Sequence, residues 1–460
     1  MSRPFPSHPL RAAAAAVVAA VTFAAPAAAT AQEAAAQAAA AQAAPAPAPP
    51  AAVLPPWLQV HAEQRTRYET IDARYGPSEV GGDQQLAFRS RLQVGLATAR
   101  AWAFTELQDS RVALDDSAST VTTQHEMGTK VQQFHAGVAW RNVAGRGVAL
   151  QIEGGRFSRD FGARRLIARN AYRNSTNAID GAIAQAAGAA WSLQAVWVRP
   201  VAYTYPATAR DRRFDRSRMG TLYFTSTASP AASADAYVIH WNDGGAMPAD
   251  ARRTLRTVGG RVFGTAGSRR RVEYEAEAAV QRGTVGGRTH RAWFQHAQAG
   301  VAWPAAFARP RLLGTWEYGS GDADPADARS GRFDALLGAR RFELGPTGIY
   351  GLMGRGNVMS PGVWLITRPW TRLEASLQVH DMWLADAHDR WRQGGLWDPT
   401  GAAGRHVGEQ TEVRLRYRLS AHVELDTAVT RFDEGPFVRA LKPSRRGHAT
   451  HAYAALDVRY

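Results

Sequence analysis

Residues 450–460 alternate. Ala452, Ala454, Leu456, Val458 and Tyr460 fall on one face of an extended chain, while His451, Tyr453, Asp457 and Arg459 fall on the other. A segment of about ten residues, apolar on one side and polar on the other, suits a strand with lipid outside and water inside. The same alternation recurs in about nineteen segments between residue 63 and the C-terminus, with 334–343 and 348–355 among them, and bacterial barrels close with an even number of strands, so the pattern predicts about 18. A soluble sandwich can also end on such a strand. The chain's last residue, the aromatic Tyr460, resembles the terminal signal of bacterial outer-membrane barrels.

The N-terminus points to the same compartment. Arg3 and Arg11 precede an apolar stretch, Ala12 to Ala25, followed by small residues at Ala27, Ala28, Ala29 and Ala31. That order reads as a secretory signal over residues 1–31, too short to span a bilayer. Residues 32–56 are rich in Ala, Gln and Pro, a composition that cannot bury a core and predicts a flexible tether. The expected folded unit is residues 57–460, with no plug domain before its first strand. No later stretch reaches 18 uninterrupted apolar residues, so a membrane location requires a closed barrel, the other structure that satisfies every backbone polar group in lipid.

Composition narrows the chemistry. With no cysteine there is neither a disulfide framework nor a thiolate metal site. The formal charge of +15 becomes 15 − 2 = +13 once Arg3 and Arg11 are removed, and the only lysines are Lys130 and Lys442. Nearly all the positive charge is therefore arginine. A GC-rich genome that prefers arginine codons is one source of such a bias; a partner bearing carboxylates or phosphates, which the guanidinium fork matches, is the other.

Placement favours the second source. Arg89, Arg91 and Gln93 oppose the apolar face of Leu86, Phe88, Leu92, Val94 and Leu96, and Arg414 and Arg416 oppose Val413, Leu415 and Tyr417. Arg65 and Arg67 share a face with His61 and Glu63, and Glu273, Glu275, Glu277 and Gln281 share another. An arginine facing lipid near the bilayer midplane costs about 2–4 kcal/mol, so these residues are expected to face a water-filled lumen. Arg65, Arg67, Arg89, Arg91, Arg156, Arg164, Arg165, Arg414 and Arg416 are the candidate lumen cations, with Glu277 and Gln281 as polar partners. For each alone, a structural place in an ion-pair network is the competing reading. The turn-rich segment around Arg164 and Arg165 is expected to fold inward as a constriction.

Several motifs resemble the alginate export family of outer-membrane proteins. They are Gly155-Arg156-Phe157, Phe161 to Ile167, Tyr172-Arg173-Asn174 and Ile179-Asp180-Gly181, followed by Tyr274 to Gly283, Gly319-Ser320-Gly321-Asp322 with Phe333-Asp334-Ala335-Leu336, Arg355-Gly356-Asn357, Trp383-Leu384-Ala385 with Asp389, and Phe432 to Phe437. The resemblance spans about residues 57–460 and implies an 18-stranded monomeric barrel whose electropositive constriction passes a polyanionic polysaccharide. Phe157, Ala168, Tyr172, Ile179 and Gly338 depart from the usual pattern and mark a divergent member. The expected partners are outer-membrane lipid, an anionic polysaccharide and periplasmic export components, with uptake of small acids or sugars as the alternative.

An outer-membrane hydrolase is the weakest reading. His380-Asp381 and His388-Asp389 lack an accompanying G-x-S-x-G serine, and His448 and His451 lack a third ligand in compact spacing. No cofactor, metal or nucleic acid is expected, because no glycine-rich phosphate loop follows a strand and the positive charge is directed into the lumen. The detergent-folded protein is expected to give a β-rich circular-dichroism spectrum and to shift its gel mobility on boiling. A helical spectrum contradicts the barrel.

Overall fold

The computed structural model of the chain describes residues 54–75, 81–116, 119, 121–143, 145–203, 212–213, 217–244, 251–442 and 446–460. The expected signal and all but the last residues of the expected tether lie outside these. Eighteen long strands follow: β1 (Leu58–Ile71), β2 (Asp83–Ala97), β3 (Ala101–Ala113), β4 (Gly128–Val143), β5 (Val148–Phe157), β6 (Ile179–Ala187), β7 (Trp191–Ala202), β8 (Ser217–Ser229) and β9 (Ala232–Asp243) in the first half. The second half holds β10 (Arg253–Ala266), β11 (Arg271–Val285), β12 (Arg288–Ala302), β13 (Arg311–Gly319), β14 (Val358–Trp370), β15 (Leu373–Trp383), β16 (His406–Arg418), β17 (Val423–Glu434) and β18 (His448–Arg459). Two-residue strand pieces at Arg212–Arg213 and Arg329–Ser330 and one short helix, α1 (Pro436–Leu441), complete the described elements.

Each strand pairs antiparallel with its neighbours, and β18 returns to β1 over the register Glu63 opposite Arg459 to Ile71 opposite His451. The Tyr460 amide donates to the Ala62 carbonyl at 2.9 Å and the Ala62 amide to the Tyr460 carbonyl at 3.0 Å, which extends this seam by one pair. Closure leaves no open edge, as lipid requires.

Alternation sets the two faces. On β2, Arg89 and Arg91 are buried while Leu92 is exposed; on β18, His451, Tyr453 and Asp457 are buried while Leu456 and Tyr460 are exposed. The expected strand inventory needs two corrections. Segments 334–343 and 348–355 are not strands but part of a long loop, because Leu336, Gly345, Gly348 and Gly351 all take positive φ and break extended geometry. Conversely β6 is absent from the expected segments, since its sequence Ile179-Asp180-Gly181-Ala182-Ile183-Ala184-Gln185-Ala186-Ala187 is rich in small residues and carries no clear alternation.

Connections at the end holding the termini run from two residues (230–231) to eight (303–310), whereas the other end carries the long loops 158–178, 320–357 and 384–405. Short turns are periplasmic and long loops extracellular in such barrels, which orients the molecule. Two apolar clusters fill the interior toward the extracellular end. One joins Phe157, Phe161, Leu166 and Ile167 to Tyr223, Tyr237, Trp241, Phe294 and Phe333; the other joins Ile71 and Tyr75 to Tyr350, Met353, Trp391, Phe432 and Phe437. Both bury loop side chains against the inner wall, so these loops are packed parts of the barrel.

The seam makes a direct prediction. Tyr460→Asp places a charge on the outer face where the barrel closes, and its outer-membrane level is expected to fall while secretion to the periplasm continues. Wild-type membrane levels of this variant contradict the assigned role of the terminal strand.

Candidate functional site: two infolded loops across the lumen

Loop 158–178 leaves β5, crosses the interior and docks on the wall formed by β1 to β4. The wall supplies the cations and the loop supplies backbone carbonyls. Arg65 donates to the carbonyls of Ala171 at 3.2 Å, Tyr172 at 3.1 Å and Arg173 at 2.8 Å. Arg67 reaches Tyr172 O at 2.6 Å, and Arg89 reaches Ala171 O at 2.6 Å and Arg173 O at 3.0 Å. Next along the loop, the Asn174 amide donates to the carbonyls of Phe88, Arg111 and His125 at 3.0, 3.2 and 2.8 Å, while its own carbonyl accepts from Gln108 and Ser110. Gln132 of β4 fixes Thr176 by its carbonyl and hydroxyl at 3.1 and 2.9 Å. At the loop's start, Gly162 has φ +51° and a Cβ there would lie 1.9 Å from the Tyr223 hydroxyl, so only glycine fits.

The other side of the same loop is held by acids. Arg165 pairs with Glu275 at 2.5 Å and Glu277 at 2.7 Å on β11, and with Glu343 at 3.1 Å on loop 320–357. The two loops also join through backbone, with Leu337 N–H donating to Leu166 O at 3.0 Å and Ala339 N–H to Arg164 O at 2.8 Å. A Cβ at Gly338 would lie 1.9 Å from the Arg165 carbonyl, so a glycine at this departure from the family pattern admits the contact. Loop 320–357 has its own anchors. Gln281 donates to Asp334 O at 3.2 Å and accepts from Asp334 N–H at 3.0 Å; Arg341 forks Glu412 at 2.8 and 3.1 Å; Arg355 reaches Arg165 O, Ala339 O and Glu343. Together the loops form a septum from the β1–β4 wall to β11 and β16.

The candidate residues divide accordingly. Arg65, Arg67 and Arg89 face inward but are buried under loop 158–178, and Arg91 lies beside them with Gln108 at 2.9 Å and Glu63 at 3.6 Å. Arg414 forks Asp426 at 2.8 and 2.6 Å and Arg416 meets Glu424 at 2.9 Å, both inward toward the periplasmic end. Glu277 and Gln281 hold Arg165 and Asp334. Arg156 corrects the lumen assignment: it shares the outward face of β5 with Leu150 and Ile152, forks Asp180 at 2.7 and 3.1 Å, and donates to Val131 O. Its place near the extracellular end of β5, with a bidentate counterion, removes most of the cost of facing outward. His380 and Asp381 also separate, His380 turning inward to Ser360 at 3.3 Å and Asp381 to His406 at 2.7 Å.

On the two septum loops, Arg164, Arg169, Arg173 and Arg340 have no carboxylate among the described residues, and neither has Arg329, which is exposed at the far end of loop 320–357. Arg164 lies over the Phe342 ring, 4.1 Å from its centroid. Burial lowers Arg173 from the usual guanidinium range, and burial together with the Arg173 charge lowers Arg340 to about 10, which still leaves it protonated at neutral pH. Alternation reveals the facing of strand residues only, so Arg169, Arg173 and Arg340 could have been found in the sequence only as arginines in turn-rich segments.

A family model described as alginate export matches residues 56–451. The chain belongs to the alginate export family. No curated protein sequence matches it. Among solved structures it is similar to OccK5 (OpdH) of Pseudomonas aeruginosa, with TM-score 0.59, 9% identity and coverage of 87% of this chain and 97% of that one. It is likewise similar to the outer membrane protein OprD of the same organism, with TM-score 0.56, 10% identity and coverage of 88% and 93%. At these identities the likeness is one of fold. This alginate export family member is thus a channel of the bacterial outer membrane. The motifs that carried the resemblance turn out to hold the loops. Asn174 and Arg165 are anchors already described, Ser320 donates to Gly331 O at 2.7 Å, Asn357 accepts from Asp386 N–H at 2.8 Å, and Asp389 accepts from Asp322 N–H at 3.0 Å.

Removing the Asn174 amide tests the docking of loop 158–178. Three buried hydrogen bonds at about 1 kcal/mol each correspond to roughly a hundredfold rise in undocked loop. Asn174→Ala is expected to show larger and noisier single-channel currents than the wild type, whereas a quiet trace at wild-type conductance contradicts the anchoring role.

Proposed function

We propose that this barrel passes a carboxylate-bearing polysaccharide, a polyuronate of the alginate kind, past the guanidiniums of Arg164, Arg169, Arg173 and Arg340. One observation carries the reading: the arginines of the β1–β4 wall and Arg414 and Arg416 of β16 are bonded to carbonyls or carboxylates, while these four septum arginines have no carboxylate among the described residues. A polyuronate presents one carboxylate per sugar. Unpaired cations at a constriction lower the barrier for such a chain, and their small number keeps each contact weak enough to release it. The surrounding acids, Glu275, Glu277 and Glu343, hold Arg165 and limit the net field. In this role periplasmic export components would feed the end that carries the short turns.

Uptake of small acids is the second reading, supported by the backbone pairing of the two loops at Leu166 and Leu337, which narrows the passage. Both readings require anion preference; block by polymer separates them. The wild-type channel is expected to prefer anions and to be blocked by oligouronates more than by neutral oligosaccharides of equal length. The double variant Arg173→Gln/Arg340→Gln keeps donors and much of the bulk but loses two charges. Its anion preference is expected to fall several-fold at 0.01 M salt and little at 1 M, where the screening length drops from about 30 Å to about 3 Å. A cation-selective wild type defeats both readings, and equal block by neutral and acidic oligomers leaves small-acid uptake.

A further inference from the structure

The outer wall carries a second basic feature that the lumen does not explain. His240 on β9 stands directly across from Arg256 on β10, Arg256 from Arg282 on β11, and Arg282 from Arg291 on β12. All four are exposed, and their chain neighbours Ile239, Leu255, Gln281 and His290 are buried inward, so the row faces out. None of the four has a hydrogen-bond or ion-pair partner among the described residues. No aspartate or glutamate occupies an outward position on β8 to β12 among these residues. The buried wall arginines Arg65, Arg67, Arg89 and Arg91, by contrast, each have an oxygen acceptor.

Height along the strands matters as much as charge. The row lies near the extracellular ends of its strands, and the next outward row below it is Val238, Val258, Val280 and Trp293. It therefore sits at the upper border of the apolar band, where an outward arginine costs only about 0–1 kcal/mol. Like charges directly across a sheet repel, and an arginine-rich composition would scatter them over heights instead of aligning them on consecutive strands. Adjacent strands lie about 4.8 Å apart, so the three arginines span roughly 10 Å, wide enough for more than one phosphate.

Beneath the row the wall is hollow. A groove of about 700 Å³ opens on the lipid-facing surface where Gly260, Ala276, Ala278 and Ala297 present small side chains between Val262 and Trp316. Gly260 is four residues below Arg256 on β10, about 13 Å along the strand. An anionic headgroup above and an acyl chain below would both find a seat.

We infer that this face binds a phosphate-bearing glycolipid of the outer leaflet, with phosphates on Arg256, Arg282 and Arg291 and one acyl chain in the groove over Gly260 and Ala278. The guanidinium fork matches phosphate oxygens bidentately, and the aligned row offers several forks at once. The site lies on the opposite side of the wall from the septum and is independent of what the channel passes.

The test uses the full-length barrel, delipidated in detergent, with lipopolysaccharide, phosphatidylethanolamine and inorganic phosphate as separate probes read by native mass spectrometry and thermal shift. Wild-type protein is expected to retain lipopolysaccharide adducts and to gain thermal stability with that probe alone. Arg256→Gln/Arg282→Gln/Arg291→Gln is expected to bind at least tenfold more weakly, and Ala278→Trp, which fills the groove without touching the charges, to bind more weakly as well. Arg256→Lys/Arg282→Lys/Arg291→Lys should recover part of the affinity. Wild-type single-channel conductance certifies the fold of each variant, since these residues lie outside the lumen. Undiminished binding by the glutamine variant, an equal response to phosphatidylethanolamine, or an equal shift with inorganic phosphate overturns the glycolipid site.

Discussion

A guanidinium buried in the wall of a closed sheet must find oxygen acceptors, and in this barrel Arg65, Arg67 and Arg89 find the carbonyls of residues 171–173. Hydrogen bonds to a charged group contribute roughly 1.5–3 kcal/mol each, so this strip of contacts is strong enough to hold a loop across an aqueous interior. The rest of the septum depends on it. With loop 158–178 in place, Arg165 is presented to Glu275 and Glu277, and the backbone of residues 164–166 is presented to loop 320–357. Arg355 then closes the joint by reaching Arg165 O and Ala339 O.

This arrangement separates two tasks that the same residue type performs. Wall arginines are spent on geometry, each bonded to a carbonyl or carboxylate oxygen that fixes it beneath the loop. Loop arginines carry the charge that a passing anion can meet. Outside, Arg156 with Asp180 and the aligned Arg256, Arg282 and Arg291 sit at the extracellular border of the lipid band, where the bilayer tolerates them. The barrel thus distributes one residue type over three environments, and partner availability decides the role in each.

Strand alternation was legible because lipid outside and water inside demand it, and it located seventeen of the eighteen strands. It failed at β6, where alanine and glycine give no contrast between faces, and over 334–355, where apolar residues alternate in a loop that packs on the inner wall. Arg156 was misplaced for a different reason. Parity with Leu150 and Ile152 puts it outside, and near the strand's end an outward arginine costs far less than at the midplane. The septum arginines are the least legible: Arg173 and Arg340 lie on irregular backbone whose facing no period encodes, and only the folded loops show that they lack acceptors among the described residues.

The central claim is that charge on the septum, not on the wall, sets selectivity. The chain has no cysteine, so single-cysteine variants can be labelled cleanly during recording. Reversal potentials across a salt gradient should be measured for Arg340→Cys before and after attaching an anionic thiosulfonate, with Arg199→Cys on the outer face of β7 as the control. The account predicts a fall in current and a swing toward cation preference at position 340, with no change at 199. An unaltered reversal potential after complete labelling at position 340 would contradict it.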